Sequence, residues 1–134
     1  MKRMALVILA LIILAANSPA QSGSFIIATM PFPFHVGNSH VPAGDYRIAS
    51  YGTNGILVIA NAKEQEVLAV QGYLAKHTDL SVTPKLVFHR YGENYFLVGV
   101  RMPERKMLAL PQSRSEREFL TKAAPEEFTL VARK

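Results

Sequence analysis

The side chains best equipped for acid–base or metal chemistry in this sequence are four histidines and ten carboxylates, and cysteine is absent. Transition-metal centres take three or four imidazole, thiolate or carboxylate ligands, and on a helix they show spacings such as the i, i+4 histidines of His-Glu-x-x-His. Here His35 and His40 are separated by a turn, His77 lies in a polar stretch and His89 in a β-prone run. None pairs at helical spacing, so no metal ligand is assigned. The lack of Cys removes thiolate zinc, iron–sulfur and disulfide chemistry, a cysteine nucleophile and a lipidated N-terminal cysteine.

Nucleophiles and carboxylate pairs are equally unmarked. Ser113 stands in Gln-Ser-Arg without the flanking glycines of a nucleophile elbow, and capping of a following helix accounts for it. Asp45 follows Pro-Ala-Gly, an ordinary place for an acidic turn residue. Glu64 and Glu66 flank a turn, whereas Glu126 and Glu127 are adjacent on a β-prone run and face opposite ways. Acid–base work needs two carboxyls facing one pocket from different environments, which neither pair supplies. Gly37, Gly44, Gly52 and Gly55 are spaced as turn residues and form no phosphate-binding loop. No catalytic residue and no cofactor is assigned.

Aromatic side chains offer a stacking platform in principle. Phe32, Phe34, Phe88 and Phe96 fall on the parity expected of a core, and Tyr91 and Tyr95, flanking one turn, are expected to form a cross-strand aromatic pair. With near-neutral strands and an export signal, nucleic acid is not expected as a partner.

That signal occupies the first twenty residues. Met1-Lys2-Arg3 is a basic start, Met4 to Ala16 is a run of 13 residues without a polar side chain, and Ser18-Pro19-Ala20 places small residues where a signal peptidase reads. The run is short of the roughly 20 residues a membrane-spanning helix needs. Cleavage after Ala20 and a periplasmic or extracellular destination are expected, leaving residues 21–134 as one domain.

Loss of Lys2 and Arg3 leaves 13 basic and 10 acidic side chains, a net charge of +3. All of that excess lies beyond residue 100. Arg101, Arg105, Lys106, Arg114 and Arg117, partly offset by Glu104, Glu116 and Glu118, are the candidate electrostatic surface. A net of +2 there supports weak, salt-sensitive attraction to an anionic envelope surface and no tight site.

The elements that must position these groups are mostly strands. Phe25 to Val36 alternates with Ile26, Ala28, Met30, Phe32, Phe34 and Val36 on one parity. Pro31 and Pro33 on the other parity make it an edge strand or a broken one, and His35 beside them should face away from the core. Tyr46–Tyr51 and Ile56–Ile59 flank the hairpin signal Asn54-Gly55. Residues 61–75 fit either a helix capped by Asn61 or a strand with Leu68, Val70 and Leu74 on one face, and Gly72 favours the strand. Lys85–Tyr91 and Tyr95–Met102 form a second hairpin, with Phe96, Val98, Val100 and Met102 inward. Ser113 and Glu116 make a capping box for a helix of about three turns with Phe119, Leu120, Ala123 and Ala124 as its apolar stripe, ended by Pro125. Phe128–Ala132 closes the domain. The fold class expected is mainly β, an antiparallel small sandwich or partly open barrel of six or seven strands with one helix in the C-terminal region.

Pro31-Phe32-Pro33-Phe34-His35-Val36-Gly37, Pro42-Ala43-Gly44-Asp45-Tyr46-Arg47-Ile48 and Pro84-Lys85-Leu86-Val87-Phe88-His89-Arg90-Tyr91-Gly92, with Leu110-Pro111-Gln112-Ser113 after them, resemble the turns and strand edges of a family of short bacterial secreted proteins. The resemblance implies export and a mainly β domain, and it carries no catalytic residue, cofactor or activity with it. The function expected is a non-catalytic envelope or extracellular module that binds or spaces another component. The alternative is a small hydrolase or metal-dependent enzyme whose His and carboxylate groups converge only in the fold.

Overall fold

Alternation in the first run stops where its prolines stand. In the computed structural model, which describes residues 24–51, 55–63, 65–76, 83–103 and 106–133, β1 covers Ser24–Met30 and β2 covers Phe34–Val36. Pro31 and Pro33 are exposed in the bend between them, where their missing N–H groups cost no ladder bond. The single run is thereby split between two sheets. β2 turns at Gly37, whose φ of +60° suits glycine, into β3 (Ser39–Val41).

The first sheet then builds on β1. β4 (Gly44–Tyr51), β5 (Ile56–Asn61) and β6 (Glu66–Gln71) follow as antiparallel neighbours in the order β1-β4-β5-β6. Among the described residues of 61–75 there is no helix; strands run over Glu66–Gln71 and Tyr73–Leu74. Asn61 does not cap a helix: its side-chain oxygen accepts from the backbone N–H groups of Lys63 and Gln65, both at 3.0 Å, closing the turn before β6. The signal residues 1–20, together with Asn54, Glu64, His77 and Arg105, lie outside the described residues.

Gly72 separates β6 from β7 (Tyr73–Leu74), which belongs to the second sheet. A Cβ at Gly72 would stand 3.1 Å from the carbonyl oxygens of both Ala109 and Gly55, so this corner is a place where only backbone fits. Leu74 is 64% exposed and does not continue the Leu68–Val70 face.

The second sheet runs β11-β8-β9-β10-β7, from β8 (Lys85–Tyr91), β9 (Asn94–Arg101), β10 (Met107–Ala109) and β11 (Glu126–Val131), with β2 alongside β9 at Phe96. The strands of six or more residues are β1, β4, β5, β6, β8, β9 and β11. Beyond β11, Arg133 exchanges two backbone hydrogen bonds with Ile27 on the free edge of β1, at 2.8 and 2.9 Å. The sandwich is thus joined along one side by that bridge and along the other by the Gly72 corner, leaving the outer edge of β6 unpaired among the described residues. Between the sheets lie Ile26, Met30, Ile48, Leu57 and Ile59 from the first and Phe34, Leu86, Phe88, Leu97, Val100 and Leu108 from the second.

A bulge reverses β9 halfway. Val87 pairs with Gly99 but Phe88 pairs with Leu97, which leaves Val98 as the extra residue. Inward positions are consequently Leu97, Val100 and Met102; Val98 is half-buried, and Phe96 lies on the opposite face of the sheet. The same parity separates Tyr91 from Tyr95. Tyr95 stacks on Phe32 with centroids 3.7 Å apart, while Tyr91 packs edge-on to Phe96 at 5.7 Å, so they form no pair.

The helix α1 spans only Arg114–Leu120, two turns. Ser113 caps it, its hydroxyl accepting from the Glu116 N–H at 3.0 Å, and Thr121 ends it by donating its hydroxyl to the Glu118 carbonyl at 2.7 Å. So short a helix puts one i, i+3 pair against the sheet, Glu116 and Phe119. Glu116 is its buried residue, Phe119 is half-buried, and Leu120, Ala123 and Ala124 are exposed, so the expected apolar stripe does not form.

Candidate functional site

Among the described residues, two outward sheet faces gather side chains of distinct chemistry. On the larger sheet, four rings lie in one transverse row: His89 pairs with Phe96, Phe96 with His35, and His35 with His40. His35 stacks on Phe96 with centroids at 4.6 Å and faces away from the core, as its parity predicts; His40 stands 5.0 Å from it. Glu116 reaches the other end of the row, with Oε1 3.5 Å from His89 Nδ1 and Oε2 accepting from Gln112 Nε2 at 3.3 Å. Burial, and after it the Glu116 charge and hydrogen-bonding contact, raises the Tyr91 phenol above its ordinary range. Both His89 Nδ1 and the Tyr91 hydroxyl approach Glu116 without closing a well-aligned hydrogen bond.

The sequence assigned Glu116 to a capping box and so missed this convergence. The only available signal was the spacing His89 to Phe96 across the Gly92 turn, which aligns them in the hairpin, while the helix that delivers Glu116 is fixed by tertiary packing. Other carboxylates lie elsewhere: Asp45 accepts a hydrogen bond from Thr29 Oγ1 at 2.6 Å, Glu93 is exposed in the β8–β9 turn, and Glu66, Glu126 and Glu127 are exposed on their strands. Among the described residues no three His, Asp or Glu side chains gather closely enough to hold a metal ion.

Burial lowers the His35 pKa below its ordinary 6.5, and the neighbouring His40 lowers it further. The neutral ring therefore favours the folded state. That contribution is present above the unfolded value and is lost as pH falls through the depressed folded value. Urea unfolding midpoints should drop between neutral and mildly acidic pH, and drop less in His35→Phe, which keeps a ring on Phe96 but takes up no proton. Equal slopes in the two proteins would show that His35 contributes nothing.

The proposed basic surface is dispersed. Arg101 is 2% exposed, because the end of β9 is paired on both sides, with Lys85 and with Met107. It is a buried residue and does not belong to an electrostatic face. Lys106 is half-buried in the β9–β10 turn, and Arg114 and Arg117 are exposed on α1. Burial withdraws one charge of each sign, Arg101 and Glu116, so the formal excess of the segment is unchanged.

The outer face of the four-stranded sheet is chemically different. Its register sets out three rows: Tyr51, Ile56 and Gln71; Phe25, Ala49, Val58 and Ala69; and Ile27, Arg47, Ala60 and Glu66. A one-sided antiparallel sheet normally turns polar residues to water. Here Phe25 is 37%, Tyr51 46%, Ile56 37% and Val67 42% exposed. Ala49, Val58 and Ala60 floor a shallow groove of about 220 Å³ whose sides are Tyr51, Arg47 and Glu66, and the Arg47 guanidinium lies 4.0 Å from the Phe25 ring centre. The sequence carries this signal in Ile26-Ile27, in Ile56 to Ala60 and in Val67 to Val70, runs that are apolar on both parities, as in strands covered on both sides. Comparison of the chain with protein-family models, with curated proteins and with solved structures gives no match, and the outer face of the four-stranded sheet is the site its geometry singles out.

Proposed function

We propose that the chain is an exported, non-catalytic binding or structural module of the envelope or extracellular space, acting through the outer face of its four-stranded sheet. The observation that carries this reading is the exposure of Phe25, Tyr51, Ile56 and Val67 on the side of the sheet turned away from the core formed by the described residues. Water-exposed apolar area of that kind marks an interaction surface. The exposed Arg114 and Arg117 add no more than weak, screened attraction to anionic surfaces. The enzymatic alternative draws on the approach of His89 to Glu116. Against it, the two serine hydroxyls nearest Glu116 in the chain are engaged elsewhere, Ser113 in the helix cap and Ser115 with the Asn38 side chain at 3.1 Å.

The chain lacks cysteine, so single thiols can report exposure site by site. Val58→Cys on the proposed face and Thr129→Cys on the exposed side of β11 should both react with a membrane-impermeant maleimide in the dilute purified protein. In intact cells Thr129→Cys should still react, whereas Val58→Cys should be shielded. Equal labelling at both positions in cells would remove the docking face, and an unlabelled Thr129→Cys would remove export.

A further inference from the structure

We propose that His35 and His40 form a two-imidazole site for a divalent ion of the late first transition row, tightest for Cu2+, on the outer face of the larger sheet. The site is independent of the docking face, which lies on the other sheet. Both residues belong to one short hairpin: β2 and β3 pair antiparallel through the Gly37 turn, and His35 stands directly opposite His40. Their neighbours fix the side on which they project. Phe34 and Val41, the next pair along, are fully buried, so alternation turns both imidazoles outward. Directly opposed residues hold their Cβ atoms about 5 Å apart, a span that two imidazoles can close on one ion.

The rings meet two demands of coordination. An ion about 2.1 Å from a nitrogen of each ring, with about 90° to 110° between the two bonds, sets the ring centres roughly 4.5 to 5.2 Å apart. Those of His35 and His40 are 5.0 Å apart. The ion must also lie in the plane of each ring, so the two planes have to intersect, which parallel stacked rings would not allow. Here they cross at 66°. One ligand is already held in place, because His35 is half-buried and stacks on Phe96 with centroids at 4.6 Å and planes 18° apart. His40 is exposed and can turn a nitrogen to the ion. Phe96 stands between His35 and His89 in the row, and among the described residues no third His, Asp or Glu joins the pair, so water supplies the remaining ligands. The site therefore takes up an ion and gives it back. Imidazole suits copper, nickel and zinc, and among these the Irving–Williams order favours Cu2+.

Isothermal titration of the mature protein with Cu2+ and with Zn2+ near neutral pH tests the site. One Cu2+ per chain should bind in the micromolar range, more tightly than Zn2+. His40→Ala and His35→Phe should each weaken Cu2+ binding by about a hundredfold, since each leaves one imidazole where two acted together, and His89→Gln should leave it unchanged. Because His40 is exposed, His40→Ala should keep the urea midpoint of the metal-free protein, which separates loss of a ligand from loss of the fold. The Cu2+ electron paramagnetic resonance spectrum should show two imidazole nitrogens in the unaltered protein and one in either variant. No binding below millimolar Cu2+, binding that survives either substitution, or a loss in His89→Gln as large as theirs overturns the paired site.

Discussion

Phe88→Ala should lower the unfolding free energy of the domain by about 4 kcal/mol. The ring is fully buried and stands at the crossing of segments remote in sequence. Phe32 meets it edge-on at 5.3 Å, Phe34 at 5.8 Å, Tyr95 at 6.4 Å, and Phe128 lies 6.4 Å away at a tilt. Truncation leaves a cavity that neither sheet can close, because both are pinned by their ladders, and it frees the bend that carries β1 into β2. Urea unfolding of Phe88→Ala beside Phe25→Ala provides the comparison: the Phe25 ring is 37% exposed and its loss should cost about 1 kcal/mol or less. A loss under about 2 kcal/mol at Phe88 would mean that the aromatic cluster repacks freely.

Gly55→Ala should be nearly as damaging, by about 2 to 4 kcal/mol, though it adds one methyl group. Two causes act together. Gly55 has φ of +77°, a conformation in which a Cβ collides with its own backbone. That Cβ would also stand 2.8 Å from the carbonyl oxygen of Gly72, which is backbone and cannot swing aside. The Gly72 N–H donates to the Gly55 carbonyl at 2.9 Å, so the substitution pushes apart the corner at which the chain leaves the first sheet for the second. Gly37→Ala is the control: its φ is +60° with open space around the new Cβ, so it should show the backbone penalty alone. Equal losses at the two positions would show that the close approach to Gly72 is without cost.

Much of this architecture is legible in the sequence because it is local. The Asn54-Gly55 and Gly92-Glu93-Asn94 turns mark hairpins, Ser113 marks a helix start, and Pro31 and Pro33 mark an edge where a ladder breaks. Parity carries Ile26, Ala28 and Met30 of β1 and Phe88 of β8 into the core as expected. It fails in β9 because a bulge at Val98 shifts the pattern by one residue; Gly99 inside the run is a local hint of a bulge but does not say which residue is extra. The helix is misjudged for a different reason. Its stripe of Phe119, Leu120, Ala123 and Ala124 is sound periodicity, but the two turns are capped at Thr121, which leaves Ala123 and Ala124 beyond the helix. The outer face of the four-stranded sheet was readable in principle, since Ile27, Val58 and Ala69 are apolar where alternation calls for polar side chains. Its meaning emerges only when the register sets these residues side by side.

The pairing of Ile27 with Arg133 has a mechanical consequence. Because the two segments run antiparallel, the chain leaves the pair at the same end in both directions, through Ser24 on one side and past Arg133 on the other. Tension applied through both ends therefore reaches their two hydrogen bonds in unzipping geometry, where bonds yield in succession, and not in shear, where they would share the force. The seam between the sheets opens first, under low force, while the long ladders of β1 with β4 and β8 with β11 are still intact. A domain pulled by its ends would lose the closure of its sandwich before it loses either sheet.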